Sequence, residues 1–312
     1  MLSNIQEATM SLRPTLETRK ATPTMEGAGV KLHRAFGFQD PSELDPFLLF
    51  DDFRNDHPQD YMAGFPWHPH RGIETITYVL SGSVDHSDSL GNNGTLGAGD
   101  VQWMTAGSGI LHQEMPKGSA SGQMHGFQLW GNLPSDQKMT APRYQDVQSR
   151  DIPEIIDDDG TAVRVIVGEF WGRKGPVDGI AADPQYLDIT IPAGVKKTFR
   201  IDTYRRAFAY IFQGEAAFAD ASNPTGVLLE KEIAGQEVNI RDMSGDRTLV
   251  RFGTGDEITV QAGPQGVRFL LISGAPINEP AAWHGPIVMN TRAELHQAFK
   301  ELRNGTFIRP AH

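Results

Sequence analysis

Side chains in a β-strand alternate between two faces, and much of this chain carries that signature in short stretches. From Phe65 to Gly82, FPWHPHRGIETITYVLSG, the residues Ile76, Tyr78 and Leu80 fall on one face. The following segment, VDHSDSLGNNGTLGAGDVQWMTAG, reads as strand, Asn-Gly turn, strand and Gly-rich turn. The 33 glycines and 20 prolines are spread along the sequence and punctuate many such segments. Short strands with regular turn signals predict an all-β sandwich or barrel. Helical spacing is clear at the C-terminus, where Thr291 and Glu294 form a capping-box pattern. Leu295, Phe299 and Leu302 then repeat on one helical face, which predicts a helix packed on a sheet.

The stretch from Pro134 to Gly160 is rich in proline and carries the acidic run Asp157-Asp158-Asp159, read as a solvated turn. That change in composition divides the chain into residues 1–145 and 146–312. An internal repeat supports two related halves: YVLSG at Tyr78 to Gly82 returns as YIFQG at Tyr210 to Gly214, 132 positions later. At the same offset His68 falls on Arg200, His70 on Asp202 and Glu74 on Arg206. One half is therefore expected to carry chemistry and the other to serve as scaffold.

The chemistry-bearing residues are concentrated. Five of the ten histidines lie between His68 and His125. Strand parity places His68, His70 and Glu74 with the apolar face of Ile76 and Tyr78, and buried polar groups need a partner. A second pair, His112 and Glu114 in GILHQEMP, has the same two-residue spacing. Imidazole and carboxylate ligands without thiolate suit Fe(II), Mn(II), Ni(II), Cu(II) or Zn(II). Three histidines and one carboxylate would leave open positions on an octahedral ion, as redox or oxygenase chemistry requires. Either Glu74 or Glu114 can be the ligand, the other orienting a histidine N–H. Phe53, Phe65, Trp67 and Trp103 are candidates for the wall of an aromatic pocket or, equally, for ordinary core packing, with His125 at the rim or in the core. His86 is assigned to a turn, without a role.

Bulk properties narrow the function classes. Lys plus Arg is 28 against 39 Asp plus Glu, a net charge of −11, which argues against broad phosphate binding to nucleic acid. Cysteine is absent, so disulfides and thiolate sites are excluded. There is no secretory pattern and no apolar run near the roughly 20 residues of a spanning helix, and the expected location is cytoplasmic. Glycines 97, 99, 107 and 109 lack the lysine of a phosphate loop, and Ser108 lacks the strand-to-helix context of a nucleophile elbow.

Four segments together resemble the pirins, a family of the cupin superfamily: FPWHPHRGIETITYVLSG, GAGDVQWMTAGSGILHQEMP, GFQLWGNLP and HGPIVMNTRAEL. The resemblance runs from about Leu44 to about Arg303. It implies two cupin barrels packed face to face, a C-terminal helix, and one iron, as Fe(2+) or Fe(3+), in the N-terminal barrel. The family's ligands fall on His68, His70, His112 and Glu114, with Glu74 in a supporting position. Thr105-Ala106-Gly107 departs from the proline-containing turn usual in cupins.

The resemblance implies two functions. Bacterial pirins are associated with quercetin 2,3-dioxygenase activity, which takes a flavonol and dioxygen and releases carbon monoxide. Here Glu114 would act as base toward the flavonol hydroxyl. Animal pirins are iron-dependent transcriptional co-regulators, and other bacterial members modulate metabolic enzymes; in that case the partner is a protein.

Overall fold

Alternating burial along consecutive segments generates two β-barrels, seen in a computed structural model that describes residues 10–38, 43–178, 181–219, 230–233, 236–239 and 243–309. The first part of the chain supplies β1 (Thr15–Lys20), β2 (Thr22–Glu26), β3 (Val30–Phe36), β4 (Phe47–Asp52), β5 (Phe65–His70) and β6 (Ile73–Ser81). It continues with β7 (Ser83–Asp88), β8 (Asn93–Leu96), β9 (Val101–Thr105), β10 (Ile110–Lys117), β11 (His125–Asn132) and β12 (Arg143–Val147). Two sheets form the first barrel: a seven-stranded one ordered β12-β9-β6-β11-β4-β3-β2, and a four-stranded one ordered β5-β10-β7-β8.

The second half builds a nine-stranded sheet around the long strands Arg206–Phe218 and Glu257–Gly274. This sheet takes in β1, which pairs antiparallel with Thr248–Phe252. A division at 145/146 would fall inside β12, which remains paired with β9 through Val147. The boundary is better proposed in the connection 148–153, with β1 lent to the second half.

The interiors of the two barrels differ. The second is filled by one continuous cluster that includes Val165, Leu187, Ile211, Val260 and Phe269. The first holds two separate apolar clusters, one around Val30, Phe53 and Val79 and one around Ile73, Met104 and Ile110. Between the barrels lies a shared core in which Phe50, Ile76, Tyr78, Trp103 and Phe127 meet Phe208, Tyr210 and Leu270.

The repeated pentapeptides occupy matching places in this interface. Tyr78 donates to Asp188 of the second half at 2.7 Å, and Tyr210 donates to Asp52 of the first at 2.8 Å. Each aspartate is also held by an arginine of its own half, Arg268 and Arg54 respectively. The acidic run is more than a solvated turn, since Asp157 and Asp159 both pair with Lys197.

The helix α1 (Arg292–Arg303) begins at the capping box: Thr291 Oγ1 accepts from the Glu294 amide, and the Glu294 carboxylate accepts from the Thr291 amide. Its Leu295, Phe299 and Leu302 join a cluster with Ile287, Met289 and Phe307 that also takes in Leu111 of β10, so the helix packs on the hairpin Ala282–His284 and Ile287–Met289. Among the described residues no helix is long and apolar enough to cross a membrane.

Candidate metal centre

Strands β5 and β10 run antiparallel, with His112 opposite His68 and Ile110 opposite His70. Residues two apart share a face, so His68, His70 and His112 all point into the first barrel. One ring nitrogen from each lies within 4.8 Å of the others. Ring centroids stand 4.3 Å apart for His68 and His112, and 5.0 Å for His70 and His112. The offset calculation places Arg200, Asp202 and Arg206 in the other half, where they form no such group among the described residues.

The protonation of this trio follows from its partners. His68 Nδ1 is 2.9 Å from the Pro66 carbonyl, and His70 Nδ1 is 3.1 Å from that of Pro286. A carbonyl only accepts, so both Nδ1 atoms carry the proton. Burial holds both rings below the usual histidine range, far below for His70, and keeps them neutral. Their Nε2 atoms are therefore bare lone pairs, yet they face each other at 3.1 Å. Two acceptors at that distance repel, and His112 Nε2 is also buried without a partner. A cation among the three would satisfy all of them, so the donor set fits a metal ion.

Glu114 extends from the same face of β10, with Oε2 4.0 Å from His112 Nε2. Its Oε1 lies 3.2 Å from the Thr77 hydroxyl of β6. Burial pushes its carboxyl up to about 7, against the pull of that hydroxyl. A cation beside it would bring the value down again. A cavity of about 420 Å³ opens beside His68, His70 and Glu114. Its walls include Phe53, Phe65 and Trp130, and Trp67 stands on its rim 52% exposed.

Several expected site residues lie elsewhere. Glu74 does not share a face with His68 and His70, because the turn at Arg71-Gly72 separates β5 from β6 and resets the alternation. It shares the face of Ile76 and Tyr78, on the side of the sheet away from the cavity, and accepts from Thr105 Oγ1 of β9 at 2.7 Å. Trp103 pairs in register with Ile76 and lies in the shared core, 2% exposed, away from the cavity. His125 binds Asp56 at 2.7 Å beside a different surface depression.

His86, assigned to a turn, sits in β7 directly opposite Glu114 and is buried beside Tyr144. The alternation of Val84, His86 and Asp88 is the signal that would have found it. Pro286 had no signal in its own neighbourhood; it reaches His70 from 216 residues away.

The turn itself is firmly held. Gly72 has φ +76°, and a Cβ there would come within 2.0 Å of the Val288 carbonyl. Lys138 Nζ donates to the Gly72 carbonyl at 2.9 Å and to Asn132 Oδ1 at 2.7 Å. Arg71, 2% exposed, binds Glu301 and the Phe307 carbonyl and lies 4.1 Å over the Phe307 ring. The C-terminal segment thus returns to brace the strand that carries His68 and His70.

A pirin-like protein of Caulobacter vibrioides is 42% identical over 299 residues, 96% of this chain and 100% of that one. A Pseudomonas aeruginosa protein with the provisional name of a quercetin 2,3-dioxygenase is 37% identical, over 94% of this chain and 97% of its own. The crystal structure of a quercetin 2,3-dioxygenase from Acinetobacter baumannii superposes with a TM-score of 0.81 at 30% identity. It covers 95% of this chain and 98% of that one. The Pirin family model matches residues 29–131, and that of the Pirin C-terminal cupin domain matches 186–308. The two barrels are cupin domains, and the chain belongs to the pirin family.

Proposed function

We propose that this protein is an iron-dependent dioxygenase that opens the central ring of a flavonol such as quercetin. His68, His70, His112 and Glu114 would hold the iron. The observation that carries this is the pair of bare, facing Nε2 atoms at the end of an aromatic-walled cavity. The names of the Pseudomonas and Acinetobacter relatives support the substrate class.

When bound, iron supplies a Lewis-acid centre for the substrate oxygens and an electron relay to dioxygen. The chain's own residues do the rest. Thr77 Oγ1 flanks Oε1 of Glu114 at 3.2 Å, and Oε2, on the side of the histidines, would take the proton of the flavonol 3-hydroxyl. Loss of that proton enriches the ring in electrons and makes it reactive. The apolar walls hold the planar substrate and exclude water. Overall, both atoms of dioxygen enter the product and one ring carbon leaves as carbon monoxide.

The test is aerobic incubation of iron-loaded protein with quercetin, following loss of its absorbance and release of carbon monoxide. Turnover is expected in the wild type. In His112→Ala it should fall by at least about a hundredfold, because a catalytic metal ligand is lost. Equal rates in both proteins, or none in either, would reject the dioxygenase and leave a metal-tuned module that binds a partner protein.

A further inference from the structure

Opposite the histidines, the floor of the cavity carries a row of polar side chains that metal binding does not explain. Thr77 of β6 stands in register with Gln128 of β11, Gln128 with Asp51 of β4, and Asp51 with Arg34 of β3. The members are bonded: Thr77 Oγ1 to Gln128 Oε1 at 2.8 Å, and Arg34 Nε and Nη2 to the two Asp51 oxygens at 2.8 and 2.7 Å. Arg34 Nη1 also meets Glu26 at 2.8 Å. All of these residues line the same cavity as His68, His70 and Glu114.

The row begins at Thr77, beside Glu114, and crosses three strand spacings to Arg34. At about 4.8 Å each, this is roughly 14 Å, a span suited to linked aromatic rings rather than to one. Its neighbours in the cavity wall are apolar, among them Val30, Leu32, Leu49 and Phe53. An ion pair buried there costs desolvation, and hydrophobic residues of the same size would serve stability as well or better. The pair is therefore better explained by what enters the cavity.

Its chemistry is specific. One guanidinium faces two carboxylates, so this end carries a net negative charge. The Arg34 contacts leave lone pairs free on both carboxylates. Such a site accepts hydrogen bonds from neutral hydroxyl groups and repels a carboxylate or sulfate.

We infer that Arg34, Asp51 and Glu26 form a subsite for hydroxyl groups on a terminal ring of a planar polyphenol. They would determine specificity by favouring hydroxylated rings and rejecting anionic ones. This rests on the flavonol reading above, which it sharpens to polyhydroxylated, uncharged members of the class.

Binding can be separated from turnover by titrating the protein without oxygen and following quenching of tryptophan fluorescence, since Trp67 and Trp130 line the cavity. Three ligands share the reacting edge: 3-hydroxyflavone, quercetin, and 3-hydroxyflavone with a carboxylate on its pendant ring. Quercetin should bind at least about tenfold more tightly than 3-hydroxyflavone, as hydrogen bonds to charged groups allow. The carboxylate should bind more weakly than either. In Asp51→Asn and in Glu26→Gln the quercetin preference should shrink to within about threefold. Glu26 is half-exposed, so that variant tests the point even if Asp51→Asn does not fold.

Equal binding of quercetin and 3-hydroxyflavone, tight binding of the carboxylate, or no saturable quenching by any ligand overturns the inference. A preference unchanged in Glu26→Gln also overturns it. If the preference holds but no ring opening occurs in air, the dioxygenase falls and the subsite stands. Ring opening with no preference gives the reverse.

Discussion

Two buried glutamates illustrate how position decides the role of a residue. Glu114 lies beside imidazoles, while Glu74 is buried on the opposite face of its sheet with the Thr105 hydroxyl as its partner. Burial pushes the Glu74 carboxyl up to about 7 from its ordinary 4.5. Between these values the folded chain keeps a proton that the unfolded chain has released, so stability falls as pH rises through that window. The loss from Glu74 alone amounts to at most about 3 kcal/mol. Glu74→Gln can still accept from Thr105 but cannot ionise. Its urea midpoint is expected to decline less than that of the wild type between about pH 5 and pH 8. Parallel declines in the two proteins would show that Glu74 ionises as it would in water.

At the scale of elements, the turn at Arg71-Gly72 does more than join β5 to β6. It redirects the alternation so that the histidines face one sheet's interior and Glu74 the opposite side of the next. Gly72→Ala would place a methyl group 2.0 Å from the Val288 carbonyl on a left-handed backbone. The expected cost is at least about 2 kcal/mol, from strain and from displacing the C-terminal segment. Metal retained after dialysis, by elemental analysis, should fall with it, because the strand bearing His68 and His70 shifts. Full metal content with unchanged stability would show that the brace is dispensable. Strand parity, read within each element, gives the correct inward set for β5 and β10; extended through Gly72, it misplaces Glu74. For Trp103 the sequence leaves a pocket wall and core packing equally open, because an apolar side chain in β9 could line either; its place beside Ile76 in the shared core decides for the interface.

On the scale of the molecule, the two cupin barrels differ in what they enclose. Among the described residues the second is filled by one apolar cluster and the first keeps an open cavity, but each lends a segment to the other: β1 goes to the second sheet, and the C-terminal segment to the metal centre. The reciprocal links of Tyr78 to Asp188 and Tyr210 to Asp52 tie them further. Tyr210→Phe removes a buried hydrogen bond to a carboxylate that Arg54 still holds. The expected loss of stability is about 1.5–3 kcal/mol, read as a lower urea midpoint. A midpoint within error of the wild type would mean that the link stabilises nothing.

Much that governs this protein is local and therefore present in the linear order of residues. Alternation marks the strands, a capping box starts α1, and two-residue spacing puts each histidine pair on one face, because these effects act within a few bonds. The repeat of YVLSG as YIFQG points to two related halves for the same reason. Tertiary structure decided the rest: that β5 lies beside β10, that the Pro286 carbonyl sets the tautomer of His70, and that Thr77, Gln128, Asp51 and Arg34 form one row. Those outcomes depend on which distant strands become neighbours. That choice is made by burial of whole sheet faces, a sum over the chain that no short pattern contains.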